Sequence, residues 1–154
     1  MADGSAADAV RPIILVDDDT TDCLLIQRCY AESGCRRELL VYPSGPDLVS
    51  YLCRAACGEV SMPFAVLLDL NLYGVTGLDV LRRVRQDPNF REVPPIYMLT
   101  HSHDVEDRQR ALALGATGYF TKPGDIAGLA QLLASIVDET AQTSQVRGTD
   151  AGPG

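Results

Sequence analysis

The chain has 154 residues, 46% of them hydrophobic, and a net charge of −8 from 13 basic and 21 acidic side chains. That length suits one domain with a real core and leaves no room for a second catalytic domain. The acidic balance argues against a nucleic-acid-binding surface, which needs clustered Lys and Arg, and leans towards a protein or small-anion partner.

Residues 1–10 are small and polar and read as a disordered tail, as do residues 143–154, so the folded part is expected over 11–142. The apolar run Ile13-Ile14-Leu15-Val16 is the first strand, closed by Asp17 and Asp18. Thr20 or Thr21 is expected to cap a helix through about Ser33, with Leu25, Ile26 and Cys29 inward and Gly34 as its stop. Leu39–Tyr42 is the second strand, and Ser44-Gly45-Pro46 turns into a helix with Leu48, Val49 and Leu52 inward, ending near Cys57-Gly58. Phe64–Leu68 is the third strand, closed by Asp69. A helix from about Gly77, with Leu78, Leu81 and Val84 inward, breaks at Asp87-Pro88-Asn89. Pro95–Thr100 is the fourth strand, Val105–Leu114 a helix stopped by Gly115, Gly118–Thr121 the fifth strand, and Ile126 to about Thr140 the last helix. Five alternations of strand and helix predict a parallel sheet covered on both faces.

Ligands of open α/β sheets gather at the carboxyl ends of the strands, where this sequence places Asp17, Asp18, Asp69, Thr100 and Lys122. Two carboxylates about 4 Å apart repel by roughly 4 kcal/mol at an effective dielectric near 20, so the acids need a cation or shared protons. A hard divalent cation answers that need. A carboxylate can also attack a phosphoryl group to form an acyl phosphate, whose charge a Mg²⁺ ion, a lysine ammonium and a hydroxyl can stabilise. Taken singly, each acid could be a helix cap or turn residue, Thr100 a cap, Lys122 a solvated charge and Tyr119 core.

The five cysteines (Cys23, Cys29, Cys35, Cys53, Cys57) lack CxxC or Cys/His spacing, so they read as reduced thiols; Cys53 and Cys57 are expected in the core beside Val49 and Leu52. No segment looks able to cross a membrane, and Met1-Ala2-Asp3-Gly4 lacks a basic region before an apolar one, so a cytoplasmic location is expected. His101 and His103 form a weak ligand pair and read as solvated loop residues; with Ser102 and Asn71 they could tune water access to the site.

Four fragments in order, Leu15-Val16-Asp17-Asp18, Leu67-Leu68-Asp69-Leu70-Asn71-Leu72 with Gly74 and Gly77, Leu99-Thr100, and Gly118-Tyr119-Phe120-Thr121-Lys122-Pro123, resemble the receiver domain of two-component response regulators. The resemblance covers about residues 11–140 and implies a flavodoxin-like (βα)5 doubly wound parallel sheet in the order 2-1-3-4-5. It implies that Asp69 accepts a phosphoryl group from a sensor histidine kinase, and that Asp18, Asp69 and the backbone carbonyl of Asn71 hold Mg²⁺, with Asp17 assisting directly or through water. Lys122 would pair with the phosphoryl group or, before phosphorylation, with Asp69; Thr100 would swing towards the new oxygens, and Tyr119 would turn inward. A cis Lys122–Pro123 peptide is also implied. The protein would then be a phosphoacceptor signalling protein rather than an enzyme, although it would assist its own phosphorylation and dephosphorylation.

Within that family the chain looks most like stand-alone regulators of phytochrome-type kinases, on the segment Ala55–Pro63, the Leu-Asp-Leu-Asn-Leu run, and Asp87-Pro88-Asn89 followed by Val93-Pro94. A kinase of the bacteriophytochrome type, no nucleic acid and no membrane are the expected partnerships, with no DNA-binding or enzymatic output domain. Tyr73 and Thr76 depart from the pattern: the first stands where proline is usual and is expected to loosen its loop, the second where an acidic or polar residue is common. A homodimer is expected through the fourth helix, fifth strand and last helix, with Tyr119, Phe120, Leu129, Leu132 and Ile136 supplying apolar surface. The rival reading is a haloacid-dehalogenase-like phosphatase, with Asp17 as nucleophile and Asp19 as acid/base in Asp17-Asp18-Asp19-Thr20-Thr21. It lacks an acidic pair after Lys122, where only Asp125 follows, and gives Asp69 no duty. A flavin-binding module is disfavoured because Asp17–Asp19 would repel the phosphate.

Overall fold

The computed structural model describes residues 11–90 and 94–151, with backbone alone for 143–151. The N-terminal segment expected as a tail, and Val93, lie outside the described residues. Strands and helices alternate as β1 (Ile13–Val16), α1 (Thr20–Glu32), β2 (Leu39–Tyr42), α2 (Gly45–Ala56), β3 (Ala65–Leu68), α3 (Gly77–Gln86), β4 (Ile96–Thr100), α4 (Val105–Ala113), β5 (Gly118–Thr121) and α5 (Ile126–Ala151). The sheet is parallel throughout and ordered β2-β1-β3-β4-β5, as expected.

Because the sheet is covered on both faces, its central strands can be apolar at every position. Alternate residues serve two cores. Ile14, Val16, Val66, Leu68, Ile96 and Met98 pack with Leu48 and Leu52 of α2 and with Val80, Leu81 and Val84 of α3. Ile13, Leu15, Ala65, Leu67, Tyr97 and Leu99 pack with Ile26 and Cys29 of α1 and with Leu129, Leu133 and Ile136 of α5.

Several local expectations change. The N-cap of α1 is Asp19, whose side chain accepts from the Asp22 amide, rather than a threonine. All five cysteines are free, but Cys53 and Cys57 are exposed. The buried stripe of α2 is completed by Tyr51, whose hydroxyl donates to the Ser61 carbonyl at 2.7 Å, and this turns Cys53 to the flank and Cys57 to the C-cap. Leu129 and Ile136 are 2% and 1% exposed against α1, and Tyr119 is buried, so these three do not supply surface for a dimer. The last helix runs past Thr140 to Ala151, into the segment expected as a tail. No cis peptide occurs among the described residues, so Lys122–Pro123 is trans, as most such bonds are.

The chain passes close to itself just after β3. A Cβ on Gly77 would run into the Asp69 carbonyl oxygen and lie 2.9 Å from Leu70 Cα, and the Gly77 amide donates to the Leu70 carbonyl at 2.7 Å. Backbone cannot give way as a side chain can. Gly77→Ala is expected to destabilise by about 2–4 kcal/mol in urea unfolding. Gly45→Ala meets only the Val80 side chain and is expected to cost less.

Candidate functional site

The sheet ladder continues one residue beyond three strands and so fixes the start of each functional side chain. The Asp17 amide donates to the Tyr42 carbonyl at 3.1 Å, that of Asp69 to Val16 at 3.0 Å, and that of Lys122 to Thr100 at 2.7 Å. These bonds bring residues from distant parts of the sequence to one edge. Asp17, Asp18 and Asp69 each offer a carboxylate oxygen, all within 4.8 Å of one another.

Lys122 is what makes the cluster tolerable. Its ammonium lies 2.7 Å from Asp17 Oδ2, 2.9 Å from Asp22 Oδ2 and 3.6 Å from Asp69 Oδ2, with its side chain only 3% exposed. Burial alone would lower the Lys122 pKa, but hydrogen bonds to Asp17 and Asp22 and the Asp69 charge outweigh it and raise it. The other Asp17 oxygen accepts from the Asp19 amide at 2.9 Å, so this 1% exposed carboxylate is held from both sides. Asp69 is differently placed. Burial pushes its pKa up to about 6; Lys122 and the Asn71 amide, which donates to Oδ1 at 3.3 Å, oppose that rise, while Asp17 adds to it.

Asp18 is exposed, and its Oδ2 accepts the Tyr73 amide at 2.7 Å. A proline at position 73 could not make this bond. Tyr73 therefore ties the loop after β3 to Asp18 through its backbone, while its side chain is 95% exposed. The loop is fastened where the sequence suggested loosening.

Thr100 is fully buried, and its Oγ1 accepts the Ser102 amide at 3.2 Å. The Tyr119 ring is buried, and its hydroxyl has no hydrogen-bond partner among the described residues. Asn71 is exposed in the loop after Asp69, and His103 is exposed beyond β4. His101, exposed as expected, is nevertheless engaged, with Nε2 2.9 Å from Asp22 Oδ2.

Asp22 is the residue that the sequence did not reveal. Burial raises its pKa, but hydrogen bonds from Lys122 and His101 together carry it below the usual value. Its sequence signal, an acid three residues after the N-cap Asp19, is that of an ordinary capping position. Only the tertiary fold brings it to Lys122.

Three carboxylates without nitrogen or sulfur ligands suit a hard cation such as Mg²⁺ or Mn²⁺ rather than zinc, so the residues present fit a divalent metal of that class. Asp19 is spent as the N-cap of α1, which removes the proposed acid/base of the phosphatase reading.

A family model described as "Response regulator receiver domain" matches residues 13–134. Response regulator Rcp1 of Synechocystis sp. is 30% identical over 82% of this chain and 86% of its own length. The phosphorylated cyanobacterial phytochrome response regulator RcpA superposes with a TM-score of 0.75 at 29% identity, covering 87% of this chain and 96% of that one. The Mn²⁺-bound form of Rcp1 gives 0.69 at 28% identity, covering 82% and 91%. The bacteriophytochrome response regulator RtBRR gives 0.68 at 32% identity, covering 83% and 77%.

The raised pKa of Asp69 has a signed consequence for the metal-free protein. Its folded value of about 6 lies above the ordinary 3.8, so stability present below about pH 4 is lost as pH rises through 6. Asp69→Asn removes the loss and is expected to stabilise the chelator-treated protein by about 1–3 kcal/mol at pH 8. In urea titrations the gain should vanish at pH 4; an equal gain at both values would show that the charge is not its source.

Proposed function

The chain belongs to the response-regulator receiver domain family, and from that premise we propose that it accepts a phosphoryl group on Asp69 from a sensor histidine kinase and signals through the resulting change of conformation to a protein partner. The observation that carries this reading is the setting of Asp69: 7% exposed, clustered with Asp17 and Asp18, and 3.6 Å from the Lys122 ammonium.

In the transfer, an Asp69 carboxylate oxygen forms a bond to phosphorus as the phosphorus–nitrogen bond of the kinase phosphohistidine breaks, leaving the electron pair on the imidazole. Asp18 and Asp69, with the Asn71 backbone carbonyl and support from Asp17, would hold Mg²⁺, which when bound supplies positive charge to the phosphoryl oxygens. The chain supplies the remaining groups. Lys122 turns its ammonium from the acids to a phosphoryl oxygen, and the Thr100 hydroxyl donates to another. Aspartyl phosphorylation thus adds negative charge beside two donors that sit at the ends of β4 and β5.

Movement at Thr100 reaches the Ser102 amide and the segment leading into α4; movement at Lys122 reaches the start of α5. The α4-β5-α5 face is therefore the proposed output surface. Exposed Val105 shares a surface cavity of about 270 Å³ with Tyr119 and partly buried Phe120. A homodimer through this face would use Val105, Phe120 and Leu132 in place of the buried leucine and isoleucine. The similarity to RcpA and RtBRR supports a kinase of the phytochrome type. No helix among the described residues is long and apolar enough to cross a membrane; a cytoplasmic setting is part of the proposal.

Treatment with acetyl phosphate and a divalent cation, followed by borohydride reduction and peptide mass spectrometry, is expected to find the modification on Asp69 and none in Asp69→Asn. Modification of Asp17 instead would favour the phosphatase chemistry.

A further inference from the structure

The carboxylate of Asp22 stands outside the three-acid cluster, yet among the described residues it holds one of the two hydrogen bonds of the Lys122 ammonium. Its local setting explains how it becomes available. Asp19 caps α1 by accepting the Asp22 amide at 3.0 Å. In a reciprocal capping box the acid at Asp22 would reach back to the Asp19 amide. Here that amide is already given to Asp17 Oδ1 at 2.9 Å. The Asp22 carboxylate instead extends across the site, where a single oxygen, Oδ2, lies 2.9 Å from Lys122 Nζ and 2.9 Å from His101 Nε2. An ionised carboxylate only accepts hydrogen bonds, so both nitrogens donate to it.

The distances form a competition. The ammonium is at hydrogen-bond distance from Asp17 and Asp22, but 3.6 Å from Asp69. A phosphoryl group on Asp69 needs that ammonium. Asp17 belongs to the acids that fit a metal, whereas Asp22 has no part in that set. His101 directly follows Thr100, so the same oxygen touches the two places that must move.

We infer that Asp22 is a positioning residue that acts through Lys122: it draws the ammonium off Asp69 in the unmodified protein and sets how readily Lys122 passes to the phosphoryl group. His101 shares the oxygen and ties the exit of β4 to the same junction. This inference rests on Asp69 being the phosphoacceptor. It goes further in assigning a fourth acid whose charge opposes the modified state.

The test is the affinity of the full chain for beryllofluoride, a phosphoryl mimic, at fixed Mg²⁺, for wild type, Asp22→Asn and Asp22→Glu. Asp22→Asn is expected to bind the mimic roughly three- to tenfold more tightly, the order expected when one charge-assisted bond competing for the ammonium is weakened. Asp22→Glu should return the affinity towards wild type. In metal-free protein, the carboxyl carbon signal of Asp69 should shift in Asp22→Asn as the ammonium closes on it. A capping residue alone would lose stability without gaining affinity and without moving that signal. Equal or weaker binding by Asp22→Asn, with wild type binding normally, overturns the inference and leaves Asp69 as acceptor. Failure of wild type to bind the mimic overturns the acceptor reading and this inference with it.

Discussion

One buried ammonium allows this edge of the sheet to exist. Asp17, Asp18 and Asp69 bring oxygens within 4.8 Å of one another, and two of these residues are buried. Each pair of full charges at such spacing repels by a few kcal/mol at an effective dielectric near 20. Lys122 offsets that repulsion by lying 2.7 Å from Asp17 and 3.6 Å from Asp69, and Asp22 holds it from a third side. Burial still holds the Asp69 pKa above its ordinary value, because the loss of solvent around that carboxylate outweighs the nearby ammonium. A site left partly uncompensated has affinity for a second cation, and a lysine shared among several acids can be redistributed when a new anion arrives. Stability has been yielded where binding is needed.

The sheet supplies the precision this requires. The residues that close β1 and β3 donate their amides into the parallel ladder, and Lys122 does so at the end of β5. Their Cα positions are therefore set by the same bonds that set the core. Gly77 allows the backbone after β3 to pass against the carbonyl of Asp69, and the Tyr73 amide secures the far side of that loop to Asp18. Function at this edge thus depends on residues whose own side chains do no chemistry.

The strands and the convergence of Asp17, Asp18, Asp69 and Lys122 were legible because a doubly covered sheet needs continuous apolar strands, and their ends stand out as the first polar residue. The sheet order came from the resemblance of four motifs, since apolar periodicity alone leaves the order of parallel strands open. Features set by side-chain reach across the fold were not legible. Asp22 looks like a capping acid until Lys122 is placed beside it. Leu129 and Ile136 could face a partner or α1 on sequence grounds alone, and Cys53 loses its place in the core to Tyr51, two positions earlier on α2. The bond from Tyr73 is made by the backbone, so its side chain gave no sign of it; the clue was the absence of the usual proline.

If Lys122 is the cation that the acids share, its removal should leave them more eager for another. Isothermal titration calorimetry of Mg²⁺ binding to Lys122→Met, compared with wild type at the same pH, tests this directly. The expected result is a several-fold tighter affinity for the ion, because a competing positive charge is gone. Unchanged or weaker binding by the folded variant would contradict the account, since it would mean that Lys122 and the metal do not compete for Asp17 and Asp69.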